Sequence, residues 1–422
     1  MKKMMHMKAI PALVFLQLVS VVSVGAPGLT VTGRVVDSSG RSIPDATVVV
    51  YHAGVLNGYS TFCPSCYRDC GKRTTTNSAG NYVISKLDSG LWFDLLVVHD
   101  GYAPEIIKVK EPSVGTAPLT TLKARLAAPD PSHVVKGHVV DMNGRAVPGA
   151  VVTSMGVEEN HLRIEIGTIS GLDPLAVTNQ SGDFEVFYEK PAKRMLVTVE
   201  ARTLAVRYAT LVTGPQRQTI VLSKGAAVKG RLVQEGKPVG DAEIGLIGQR
   251  MSGWGPALTI VGDPYPEMRV GTQQDGTFLI SDVPVGVQWF VYPKMESVAP
   301  RGASEPRVCS TAKSGEIVDI GDIQLSQGYR LQGKVTLSDG KAIPDGMRVM
   351  LYSERVWDKD SQTALLDKDG RFMFVGLPKG EYLISPAVRG YRVGSDERGT
   401  RVAVERDMDD FVIPLSPEQP TQ

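Results

Sequence analysis

The feature that most limits what this chain can fold into is an internal repeat, because a fixed sequence period marks one structural unit used several times. The first copy runs Val31-Thr32-Gly33-Arg34-Val35-Val36-Asp37, then Gly40, then Ile43-Pro44-Asp45-Ala46 and Thr47 to Tyr51. The second follows it nearly letter for letter, from Val135-Lys136-Gly137-His138-Val139-Val140-Asp141 through Gly144 to Val147-Pro148-Gly149-Ala150. Val228 to Val233 with Pro238 to Ala242 opens a third copy, and Leu331 to Thr336 with Ile343 to Gly346 a fourth. A second signature follows in each copy: Gly80-Asn81-Tyr82, Gly182-Asp183-Phe184, Gly276-Thr277-Phe278 and Gly370-Arg371-Phe372. The leading glycines Gly33, Gly137, Gly230 and Gly333 recur about every 100 residues, one small domain apart.

Within one copy the apolar positions alternate, as at Val31, Gly33 and Val35 or Val48 and Val50, the period of two of a strand with one buried face. Asp37 to Gly40 and Asn77 to Gly80 carry turn chemistry, since Asp and Asn bond their own backbone and Gly accepts positive φ. The returning strand is expected to turn its aromatic inward. About seven short strands per copy, with turns every 8–12 residues, predict a two-sheet sandwich. Gly at 44 and Pro at 27 of 422 residues favour turns over helices. The expected division is a leader over 1–26 and four units over 27–128, 129–224, 225–327 and 328–422, a short rod of four sandwiches in which short joints restrict independent tumbling of the last three. Ala127 to Ser132, with Pro129 and Pro131, reads as a longer, semi-rigid joint between the first two.

Lys2, Lys3 and Lys8 precede a mostly apolar run from Ala9 to Val24 that ends in small residues, the layout of a secretory signal peptide. Pro11 and Gln17 interrupt the run, which falls short of the about 20 residues of a spanning helix. Export to a secreted, periplasmic or cell-surface location follows, with no membrane span after cleavage. A formal net charge of +1 gives no field to gather nucleic acid.

Taken together, G-x-V-x-D-x-x-G-x-P-[IV]-x-G/D-A-x-V, then D/N-x-x-G-x-[FY], L-P-x-G-x-Y and G-Y resemble the carboxypeptidase regulatory-like domain. The resemblance covers nearly the whole chain after the leader, in four copies. It implies an all-β fold, four tandem seven-stranded transthyretin-like sandwiches grouped with carbohydrate-binding-like folds. It also implies an accessory or stalk module that does no chemistry itself. The second copy departs from the pattern, with Tyr188 to Arg194 in place of the L-P-x-G turn, and the third lacks the early Asp.

Motifs for chemistry are sparse. No H-E-x-x-H zinc pair, G-x-S-x-G elbow, phosphate loop or dinucleotide fingerprint occurs. His138 and Asp141 stand at ordinary strand and turn positions of the repeat, and His161 with Glu165 has no third partner. No cofactor is expected and the chain reads as a non-enzyme. The strongest anomaly is Cys63-Pro64-Ser65-Cys66-Tyr67-Arg68-Asp69-Cys70 in the first copy. In an exported chain a disulfide is the default, and Cys63, Cys66, Cys70 and Cys309 allow three connectivities. The rival is a thiolate metal site completed by His52 or His99. A thioredoxin-like redox role for Cys63-x-x-Cys66 would need a strand-to-helix context to lower the thiol pKa, and no such helix is expected there.

Ring stacking on sugars points instead to Trp254 and Tyr265 in the long loop of the third copy and Trp357 in the fourth, whereas Trp92 and Trp289 lie in apolar strands and read as core. The leading expectation is a spacer or binding scaffold at the cell envelope, with an envelope protein or polysaccharide as partner. A carbohydrate-binding module using those loop aromatics, or an accessory domain of a separately encoded peptidase, are the alternatives.

Overall fold

The computed structural model describes residues 28–125, 129–160, 163–248, 267–356, 359–394 and 399–418. The leader and its cleavage point lie outside them. The chain is all β, and its strands form eight sheets among the described residues. Four times the same pairing recurs. The strands Leu29–Asp37, Val134–Asp141, Ala226–Gln234 and Tyr329–Leu337 each sit between an antiparallel and a parallel neighbour. The antiparallel ones are Asn81–Leu87, Asp183–Phe187, Thr277–Val283 and Arg371–Leu377. The parallel ones are the closing strands Thr120–Leu122, Arg217–Leu222, Ile317–Leu325 and Met408–Pro417.

A second sheet packs on each of these. In the first copy it runs Arg73–Thr75, Thr47–Val55, Leu91–Val98, Glu105–Val109. Glu243–Gly248 and Arg348–Ser353 hold the place of Thr47–Val55 in the third and fourth. Among the described residues the first copy has seven strands, and each of the others adds one short strand to that plan, such as Lys237–Pro238 or Tyr391–Val393. Alternate residues of the facing sheets fill four cores, with Val35, Phe93 and Leu95 in the first and Phe374, Ile384 and Ile413 in the fourth, to which Met295 of the third copy also belongs.

The two repeat signatures are halves of one cross-strand pair. Gly33 lies opposite Tyr82, Gly137 opposite Phe184, Gly230 opposite Phe278 and Gly333 opposite Phe372. A Cβ on Gly33 would fall 2.3 Å from the Tyr82 ring, and one on Gly137 2.2 Å from the Phe184 ring. The glycine is therefore a floor for the buried aromatic, which is why both recur together.

Three copies share a bulge that the sequence reading did not detect. Register shifts where the first strand passes Leu87, Val283 and Leu377, and the residue before each, Lys86, Asp282 or Gly376, has positive φ. The chain enters over it through Gly28, Gly225 or Gly328, whose Cβ would collide with that residue's backbone. The second copy, which lacks the L-P-x-G turn, pairs Val134 to Phe187 without a shift. A buried threonine is also shared by three copies: Thr76, Thr178 and Thr272 each donate to one backbone carbonyl and accept from one backbone amide. Leu366 stands there in the fourth.

Candidate functional site

The cysteine loop leaves the strand Thr47–Val55 and rejoins the sheet at Arg73–Thr75. Having no sheet of its own, it is held by the Ala53 amide donating to the Pro64 carbonyl, the Gly71 amide donating to Val50, and the Cys66 amide closing on the Cys63 carbonyl. Cys63 and Cys66 are joined in a disulfide, with Cα atoms 5.1 Å apart. Cys70 is a buried free thiol that donates to the Pro64 carbonyl, and burial raises its pKa. Cys309 does not meet it: this thiol sits in the core of the third copy, pushed up to about 11 by burial.

Neither histidine weighed as a fourth metal ligand is placed with these sulfurs. His52 lies 3.8 Å from the Asp94 carboxylate and stacks on Tyr51, while the His99 Nδ1 is 2.7 Å from the Asp100 carbonyl oxygen. Among the described residues the group at the sulfurs is Cys63, Cys66 and Asp282, their ligand atoms within 4.8 Å of one another. Asp282 comes from the third copy, and no spacing argument within one copy could have found it. With the sulfurs joined, the trio offers no thiolate to a metal.

Trp254, Tyr265 and Trp357 lie outside the described residues, as does His161. Trp289 is fully buried, its indole N–H donating to Thr311. Trp92 is not core: it is half-buried, its ring roofing Gly54 while the Lys108 ammonium lies 4.7 Å from its centroid. The His138 Nδ1 is 2.8 Å from an Asp183 carboxylate oxygen, and Asp141 accepts from the amides of Asn143 and Arg145 in its own turn, so the two serve separate structural bonds.

The copies meet along buried joints. Leu96, Val151 and Leu175 form an apolar contact between the first and second, beside which the Tyr51 hydroxyl donates to Glu200. Ile247, Phe290, Tyr292 and Val356 do the same between the third and fourth. Next to that contact Lys294, Glu267 and Asp360 are nearly enclosed: the Lys294 ammonium is 3.0 Å from Glu267, and the Met295 amide donates to Asp360. Burial pushes the Asp360 carboxyl up to about 7, against the pull of Lys294. Between the first and second copies a cleft of about 310 Å³ is lined by Glu105, Lys123, Arg125, Leu172, Asp173 and Phe187 among others. Burial raises both the Glu105 and Asp173 carboxyls.

The strand plan of the first copy, with its glycine floor under an aromatic, has a counterpart among known families. Residues 30–123 match the carboxypeptidase regulatory-like domain. The matched span is the first copy, from its opening strand to the residue after its closing one, and it includes the cysteine loop. No curated protein matches the chain. Among solved structures, the Bacillus anthracis TIE protein is 10% identical over 89% of this chain and 68% of its own, with a TM-score of 0.20. The minor pilin GBS52 of Streptococcus agalactiae is 14% identical over 47% of this chain and 98% of its own, at 0.24. A streptococcal ancillary pilin is 13% identical over 68% and 99%, at 0.23. Likenesses of that size carry no argument about function.

Proposed function

We propose that the chain is a non-enzymatic exported scaffold of the cell envelope, made of four regulatory-like sandwiches over 27–128, 129–224, 225–327 and 328–422 behind a signal peptide at 1–26. The observation that carries this reading is the pair of buried joints, which pack the first sandwich on the second and the third on the fourth and leave loops to face partners. A chain built to hold geometry needs such joints; beads on free linkers do not. The basic and apolar leader supports export, and the match of residues 30–123 to an accessory-type domain supports a supporting role over a catalytic one. Recognition falls to an envelope protein or polysaccharide, with Trp254, Tyr265 and Trp357 as the aromatic candidates, Cys63 paired with Cys66, and Cys70 and Cys309 as buried structural thiols.

Cell fractionation with N-terminal sequencing of the purified chain tests the reading. A processed chain in the envelope or medium, recovered with a partner on pull-down, is the expected result. A cytosolic chain with Met1 retained would refute it. A polysaccharide partner predicts retention on a glycan array that Trp254→Ala abolishes.

A further inference from the structure

The cysteine loop touches more than its own copy. On one side the Cys70 carbonyl accepts from Arg202 of the second copy at 3.1 Å. On the other, Gly271 of the third copy donates its amide to the Ser60 carbonyl, and a Cβ at Gly271 would lie 2.7 Å from the Tyr59 carbonyl oxygen. Gly271 ends the strand Met268–Gly271, an edge of its sheet, so the loop covers backbone that would otherwise be open for pairing. The Tyr59 phenol, raised by burial, sits among the charges of Glu243, Glu296 and Asp241. Beyond it the disulfide lies against Asp282. The covalent closure therefore falls between the two contacts.

We propose that the Cys63–Cys66 disulfide is a redox-sensitive clasp that docks the loop of the first sandwich onto the edge of the third. Oxidised, the loop is short and the sulfurs are neutral beside the Asp282 carboxyl. A dithiol reductant breaks the S–S bond: its two electrons go to Cys63 and Cys66, each sulfur takes a proton, and the reductant leaves as its own disulfide. The loop then regains the conformations that closure removed. Any thiolate that forms faces a carboxylate of the same sign, which weakens docking further. The clasp does not depend on what the scaffold carries.

Tryptic cleavage after Arg269, two residues before the contacted Gly271 on the same edge strand, reads the docking in the full chain. Reduction is expected to speed that cleavage at least tenfold while cleavage after Lys334, in the fourth copy, stays unchanged. Thiol titration must show two further thiols in the reduced sample. Cys63→Ser with Cys66→Ser should behave as the reduced chain does. Should that variant fail to fold, Gly271→Leu keeps the disulfide and is expected to open the contact in the oxidised state, with the same faster cleavage. Asp282→Asn should blunt the response to reduction at alkaline pH. Equal cleavage after Arg269 in the oxidised and reduced chains, with both thiols titrated, would overturn the proposal.

Discussion

At the scale of single residues, most of the specificity of this fold sits in glycines with different jobs. Gly137 is a floor for Phe184 at strand φ, whereas Gly144 is a turn residue at φ 76° with nothing within 4 Å of its would-be Cβ. Gly137→Ala should cost about 1–3 kcal/mol, because the ring must leave its place in the core. Gly144→Ala should cost only about 1 kcal/mol, the strain of a left-handed alanine. Denaturation of the two variants side by side checks this, and equal losses would show that the ring contact is not what fixes Gly137. Asp360 titrates in the range that matters for the third and fourth copies. Burial raises its pKa from the usual 3.8 to about 7, so the folded chain binds a proton that the unfolded chain gives up. Its favourable contribution is complete below pH about 4 and is lost as pH rises through about 7, on the order of 2–4 kcal/mol across that window. Lys294, Glu267, Arg269 and the Met295 amide face it and set how sharp the loss is. In denaturation followed from pH 4 to 8, Asp360→Asn is expected to flatten this pH dependence.

Among elements, the bulge that opens three of the four copies shows how far the sequence could be read. The strands, their turns and the inward aromatics follow from alternation and from the D/N-x-x-G turns, which act through local chemistry: Asn77 accepts from the amides of Ala79 and Asn81, as Asp367 does from Asp369 and Arg371. The bulge has no such signature, because Lys86, Asp282 and Gly376 share a backbone angle and no side-chain chemistry. The Asp282 approach to the disulfide was illegible for a different reason: it joins residues of two copies, and periodicity reports only what lies within one. Lys86→Gly is expected to stabilise the first copy by about 0.5–1 kcal/mol, since left-handed strain costs more than the entropy a glycine adds. Gly376→Ala should destabilise by about 2 kcal/mol or more, because its Cβ would also lie 2.5 Å from the Ala299 carbonyl oxygen of the third copy. Opposite signs for these two changes, read by chemical denaturation, mark one backbone feature in two settings.

For the whole molecule, the contacts differ from the short rod that brief joints predict. The first sandwich meets the second through Leu96, Val151 and Leu175 and also reaches the third through Ser60. The cause is the long loop after Thr47–Val55, which the first copy extends into a cysteine-closed arm. Four cores, each built mainly from its own two sheets, should keep their own maxima of stability even though the buried joints, and Met295 of the third copy within the fourth core, tie neighbours together. Native-state hydrogen exchange over the full chain measures this directly. Four separate maxima of protection are expected, centred on Val31 to Val36, Val135 to Val140, Val228 to Val233 and Leu331 to Thr336, each falling away toward the next joint. A single continuous protected core, or free exchange across any one of those opening strands, would contradict it.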